Sequence, residues 1–214
     1  MRRLAVSAVV AVCVVAGACG PVASGDPPPS PFAVDVVRFE VGENGGFGAD
    51  RMPGVVLGPP HGGATEAEAS TDVVSLGLGG AIVVELGEEI VDGAGDDLIV
   101  FENPFKIATT GTVFTEPGEV SVSEDGDALV AFPCDSTAPA PNGCAGFGVV
   151  RASADKDNGN DIDPTDAARA GGDDFDLATI GVARARVVRI VDKSTAGAAP
   201  KAGFDLDAVA VARH

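Results

Sequence analysis

From Phe32 onward the chain repeats one kind of unit, a short run rich in valine, isoleucine and phenylalanine followed by glycine, proline, aspartate or asparagine. The runs are FAVDVVRFEV, DVVSL, AIVVEL, DLIVF, EVSVS, LVAF, GVVRA, ARVVRIV and DLDAVAVA. Runs this short and this rich in β-branched residues predict strands, and the punctuation between them predicts turns. Apolar residues at helical spacing are nearly absent; only residues 166–170, just after Pro164, could form a turn of helix. The expectation is an all-β fold, an antiparallel sandwich or barrel.

One hairpin is readable in detail. In EVSVS, Val120 and Val122 lie on one face and Ser121 and Ser123 on the other; EDGD has the chemistry of a tight turn, and residues 128–132 return as the partner strand. AIVVEL is apolar on both faces, which predicts a central strand whose outer side is covered by a loop or second layer.

The N-terminus has a different logic. Two arginines precede a mostly apolar stretch over 4–18, as in a secretion signal. The small residues before Cys19 resemble the lipobox of bacterial lipoproteins, with Ala16 where that pattern prefers leucine; the alternative is an ordinary signal peptide cleaved near Ala18. Lipidation of Cys19 would anchor the protein in a membrane through its acyl chains. GPVASGDPPPSPF then reads as a stiff tether, because five prolines among small and polar residues bury little apolar area. The expected organisation is a signal peptide over 1–18, a lipidated Cys19 with a Pro-rich tether over 19–31, and one β-sandwich domain over 32–214. The expected location is the cell envelope, with the outer membrane favoured because Gly20 and Pro21 lack the aspartate that retains enteric lipoproteins at the inner membrane.

Cys134 and Cys144 remain as a pair once Cys13 leaves with the signal and Cys19 carries lipid. The turn-rich DSTAPAPNG between them lets the chain fold back, which predicts a disulfide in an oxidising compartment. The net charge of −18 disfavours nucleic acid, whose phosphates need lysine and arginine to release counterions.

VSVSEDG, ARVVRI and the terminal GFDLDAVAV resemble the hairpin, late strand and final strand of galactose-binding-domain-like jelly rolls, the fold of discoidin-type and many carbohydrate-binding modules. A longer pattern is similar to a family of secreted bacterial cell-surface proteins and lipoproteins. It runs through VVSLGLGGAIVVELGEEIVDGAGDDLIVFENPF, FTEPGEVSVSEDGDALVAFPC and AGGDDFDL to GFDLDAVAV, over residues 72–211. The resemblance implies a jelly-roll sandwich of about eight to ten strands with long Gly/Asp-rich loops, and a role in binding. Leu129 and Val187 depart from it, since discoidin-like domains often carry tryptophan and tyrosine at those places.

DKDNGNDIDPTDAARAGGDDFDL packs eight aspartates and two asparagines into residues 155–177. Calcium takes six to eight oxygens from such groups, but the spacing fits neither an EF-hand nor a tandem Gly/Asp repeat. Strand alternation is more informative. In GFDLDAVAV, period two places Asp205 and Asp207 with Val209 and Val211, so the aspartates point inward at the rim of the core and need partners. In GDDLIVFEN, Asp97 shares a face with Ile99, Phe101 and Asn103. These patterns predict one structural calcium site drawn from Asp97, Glu102, Asn103, Asp173, Asp176, Asp205 and Asp207, and calcium is common in the carbohydrate-binding relatives that the chain resembles. The alternative is that these acids cap loop N–H groups or pair with Arg184, Arg186 and Arg189.

Catalytic signatures are sparse. His61 and His214 are the only histidines, and the chain has no G-x-S-x-G, H-E-x-x-H or C-x-x-C. A carboxylate pair could hydrolyse glycosides, but among 32 acidic residues some pair will always lie close. With no tryptophan or tyrosine for stacking sugars, Phe47 and Phe105 are the candidate ligand contacts. The reading is a non-catalytic, calcium-stabilised module that binds a glycan or an envelope protein, set against a purely structural or adhesive surface protein and, third, a glycoside hydrolase.

Overall fold

A computed structural model describes residues 29–62, 70–155 and 159–213. The signal segment, Cys19, most of the tether and, in the acidic stretch, Asp157 and Asn158 lie outside the described residues.

The protein is an all-β antiparallel sandwich. One sheet has five strands in the order β1 (Ala33–Glu40), β3 (Ala81–Val91), β10 (Arg184–Asp192), β7 (Gly118–Ser123) and β8 (Val130–Ala131). The other has three, β12 (Ala208–Val211), β4 (Leu98–Phe101) and β9 (Asp173–Phe175). Two short ladders flank them: β2 (Val74–Ser75) pairs with β11 (Asp205–Leu206), and β5 (Phe105–Lys106) with β6 (Val113–Phe114). The predicted helical turn is α1 (Ala167–Ala170).

The hairpin has the expected register, with Ser121 opposite Ala131 and Val122 opposite Val130. GVVRA is not a strand. Val150 and Ala152 instead lie against the outer face of the three-stranded sheet, and the N–H groups of Arg151 and Ala152 both donate to the Ala170 carbonyl. The twelve strands among the described residues exceed the expected eight to ten because the short β5, β6 and β9 carry no long apolar run.

The main core lies between the sheets. Ile82, Val84 and Leu86 of β3, Val188 and Ile190 of β10, and Val120 and Val122 of β7 meet Leu98 and Val100 of β4 and Val209 and Val211 of β12. Each fully buried side chain of this size contributes about 1.5–3 kcal/mol before chain entropy is counted. A second cluster covers the other face of the smaller sheet, where Ile99, Phe101, Ala208 and Ala210 pack against Val150, Ala152 and Ala170. The strands apolar on both faces and covered on both are therefore β4 and β12. AIVVEL in β3 is central to its sheet, but its outer face, with Val83 and Glu85, is only half-buried.

The end of the chain departs from simple alternation. Period two expects Phe204 and Leu206 on the face opposite Val209 and Val211, yet all four share the main core. The strand breaks at Asp207: β11 pairs with β2, β12 pairs with β4, and the phase flips between them. Asp205 and Asp207 thus go to different surroundings.

Candidate functional site

Where β4 ends, β7 begins and β11 starts, three carboxylates converge. Glu102, Glu116 and Asp205 each bring an oxygen to within 4.8 Å of the others. Glu102 directly follows the buried LIVF strand, which carries its side chain inward; it is only 2% exposed. Its Oε1 accepts the Asp205 N–H at 3.3 Å, whereas its Oε2 is buried with no hydrogen-bond partner. Glu116, also buried, accepts the Gly203 N–H at 2.9 Å. Asp205 is half-buried and accepts from the Ser75 hydroxyl, while the Asn103 amide beside it donates to the Ser70 carbonyl at 2.9 Å.

The backbone is shaped for this meeting. Gly203 has φ +78°, and a Cβ there would press on the Gly77 carbonyl and on the Asp192 carboxyl carbon. Only glycine takes that turn without strain. It aims the Gly203 N–H at Glu116 and the next N–H, of Phe204, at Asp192, 2.8 Å away. Asp192 also receives the N–H groups of Gly79 and Ser194, so its role is to bind loops together.

Mutual repulsion and burial favour the neutral forms of the three acids. Burial, then the charges of Asp205 and Glu116, push Glu102 well above the usual carboxylate range. Burial and the Asp205 charge raise Glu116 to about 8. Burial raises Asp205 to about 6, opposed by the Ser75 hydrogen bond and the Lys201 charge.

Of the seven acids and amides expected at one site, Glu102 and Asp205 meet, and Asn103 stands beside Asp205. The Asn103 carbonyl already accepts the Ser70 N–H at 2.6 Å, so it positions and does not ligate. Glu116 escaped the sequence reading because it stands before Pro117 in what looks like a turn. Alternation along a single strand cannot report a neighbour that arrives from another loop.

The other expected ligands are spread around the molecule as backbone caps. Asp97 is buried, and its two oxygens accept the N–H groups of Gly93 and Leu177, both at 2.9 Å. Asp92 and Asp176 lie beside it, but Asp92 is exposed and Asp176 caps the short turn after it through the Ala178 N–H. Asp173 gathers the N–H groups of Gly146, Phe147 and Gly148. Asp207, 2% exposed, accepts the His61 N–H with both oxygens. Within the acidic stretch, Asp163 receives the N–H and hydroxyl of Thr165, which hold its carboxyl below the usual range.

The candidate aromatic contacts have partners of their own. Phe47 lies under the Lys201 ammonium, 4.6 Å from the ring centroid, with the Arg51 guanidinium at 5.8 Å. Phe105 stacks on Phe114 at 5.2 Å in the β5–β6 ladder, where Val113 and Phe114 are exposed. Neither lines the open groove of about 700 Å³ between the loop closed by the Cys134–Cys144 disulfide and strand β9. Phe132, Phe147 and Phe175 provide aromatic walls and Asp96 and Asp174 stand among its polar groups. Phe132 and Phe175 pack ring to ring at 4.8 Å. Asp174 is exposed at the rim of the groove; partial desolvation, then the charges of Asp96 and Asp173, raise it to about 7. Leu129 and Val187 line a second concavity, of about 430 Å³, on the outer face of the five-stranded sheet.

The fold and the disulfide define a disulfide-bonded antiparallel β-sandwich protein. No protein-family model and no curated protein matches the chain, so the likeness to cell-surface lipoproteins rests on its sequence motifs alone.

Proposed function

We propose that the protein is a non-catalytic binding module of the bacterial cell envelope, anchored through a lipidated Cys19, that takes a glycan in the groove between the disulfide loop and β9. The groove carries this reading. Binding sites are concave and largely apolar, with a few polar groups that fix orientation, and aromatic walls beside carboxylates suit the two faces of a sugar ring. Phe147, half-buried, offers the aromatic surface, backed by the buried Phe132 and Phe175, and Asp96 and Asp174 can accept sugar hydroxyls. The cap roles of Asp97, Asp173 and Asp207 favour binding over catalysis, because their oxygens are engaged by backbone N–H groups.

A glycan array probed with the full-length protein tests this reading. A sugar that binds should lose about two- to tenfold in affinity with Phe147→Ala, since a stacked aromatic ring contributes about 0.5–1.5 kcal/mol beyond its buried area, and should be unaffected by Phe105→Ala. No binding to any glycan, with intact adhesion to envelope proteins, would replace it with the structural or adhesive role.

The raised Asp174 beside Asp96 favours a second reading, glycoside hydrolysis, which needs a protonated carboxyl near neutral pH. Release of reducing sugar by the wild type and its loss in Asp174→Asn would establish it.

A further inference from the structure

We propose that Glu102, Glu116 and Asp205 hold a calcium ion that ties together the loop after β4, the approach to β7 and the start of β11. The site is separate from the groove, none of whose lining residues belongs to it.

Two observations carry the proposal. The first is the convergence of three carboxylates within 4.8 Å, two of them almost completely buried. The second is the unpartnered Glu102 Oε2, enclosed and without any hydrogen-bond partner. A buried acceptor left in that state costs about 1–3 kcal/mol, and more when charged. Protonation does not remove the problem. A proton on Oε2 would make it a donor, and no acceptor lies within hydrogen-bonding distance of it. A cation satisfies the oxygen and cancels the repulsion in one step.

The donor set selects the ion. All three side chains offer hard oxygens, and no cysteine or histidine stands in the cluster, which disfavours zinc and softer metals. Calcium–oxygen distances of about 2.3–2.6 Å let ligands on opposite sides of one ion lie up to about 5 Å apart, so a 4.8 Å envelope fits without rearrangement. Magnesium demands near-ideal octahedral geometry at about 2.0–2.1 Å and gives up its waters reluctantly, which a buried site built from three protein carboxylates does not suit. Asp205 is half-buried and marks the side from which an ion and its remaining waters would enter. The Ser75 hydroxyl holds the Asp205 carboxylate, and the Gly203 N–H holds Glu116, so the ligands are oriented by their surroundings.

Isothermal calorimetry and thermal unfolding of the full-length protein, with calcium chloride against EGTA, test the assignment. The wild type should bind one calcium per chain, and its Tm should rise by roughly 5–10 °C at a calcium level about a hundredfold above Kd. Glu102→Gln should weaken binding by at least about tenfold and abolish the Tm response. It should also leave the EGTA Tm within about 2 °C of that of the wild type, because the amide matches the carboxyl group in shape and brings no charge into the buried cluster; loss of a merely structural carboxylate would lower it. Asp205→Asn provides the same readout at the open side of the site should Glu102→Gln not fold. Asp97→Asn, in the other acidic cluster, should retain the calcium response. Wild-type binding weaker than about 1 mM would overturn the proposal. So would calcium binding that survives both site variants or disappears with Asp97→Asn.

Discussion

Asp97 shows what most buried acids in this protein do. Its carboxylate spans from Gly93 to Leu177, and each oxygen receives one backbone N–H. Asp97→Ala would leave two N–H groups without acceptors, so unfolding in urea should register a loss of about 2–4 kcal/mol. Asp174 behaves differently, because its raised pKa of about 7 means the folded state disfavours its charge. The unfolded chain ionises such a group near 4, so between those two values the native state binds more protons, and stability must rise as pH falls from about 7 towards 4. Asp174→Asn should flatten that part of the stability–pH curve relative to wild type, as followed by chemical denaturation at each pH. At this scale the sequence reveals acids at strand ends, which is how Glu102 and Asp205 could both be named among seven candidates, though not as neighbours. It conceals Glu116, and it conceals that Asp207 is held by the backbone of His61, 146 residues away in the chain. Side-chain alternation reports which face a residue takes, and not which loop will cover that face.

Elements were legible where pairing is local. The β7–β8 hairpin could be read to its register because both strands and their turn lie within one short segment. GVVRA misled because its apolar residues are buried against the second sheet without joining a ladder. The last strand misled because a backbone break at Asp207 lets one apolar run serve two ladders, and no residue pattern announces a change of pairing partner. Gly203 is the hinge of that segment, with a left-handed φ of +78° and no room for a Cβ. Gly203→Ala should therefore cost about 1–3 kcal/mol and reduce calcium affinity, because it redirects the N–H that holds Glu116. The 134–144 loop makes a contrasting case. Its disulfide closes a short loop, so a Cys134→Ser, Cys144→Ser double variant should lose roughly 3 kcal/mol by the chain-entropy estimate. Since that loop walls the groove, any glycan bound there should also dissociate faster from the double variant.

Across the whole molecule, the two sheets are unequal. The outer face of the five-stranded sheet is partly open, with Val37 57% exposed and Leu129 also in contact with water. The three-stranded sheet is covered on both sides, by the main core and by the segment that carries Val150, Ala152 and Ala170. The acidic stretch belongs to that cover. Asp163 and Asp176 cap turns there while Ile162, Ala167 and Ala170 pack inward, so the apolar minority fixes the position of the segment. This arrangement predicts a sharp asymmetry between two apolar truncations. Phe101→Ala removes a fully buried ring from beneath the cover and should cost about 3–5 kcal/mol, whereas Val37→Ala on the open sheet should change stability by no more than about 0.5 kcal/mol. Hydrogen exchange provides an independent check. Amides of β4, central in its sheet and shielded on both faces, should exchange only through global unfolding, and those of the edge strand β1 should open locally and sooner. Equal losses from the two truncations, or early exchange in β4, would mean that the segment over the second sheet is not a packed layer and that the acidic stretch has no structural part in the fold.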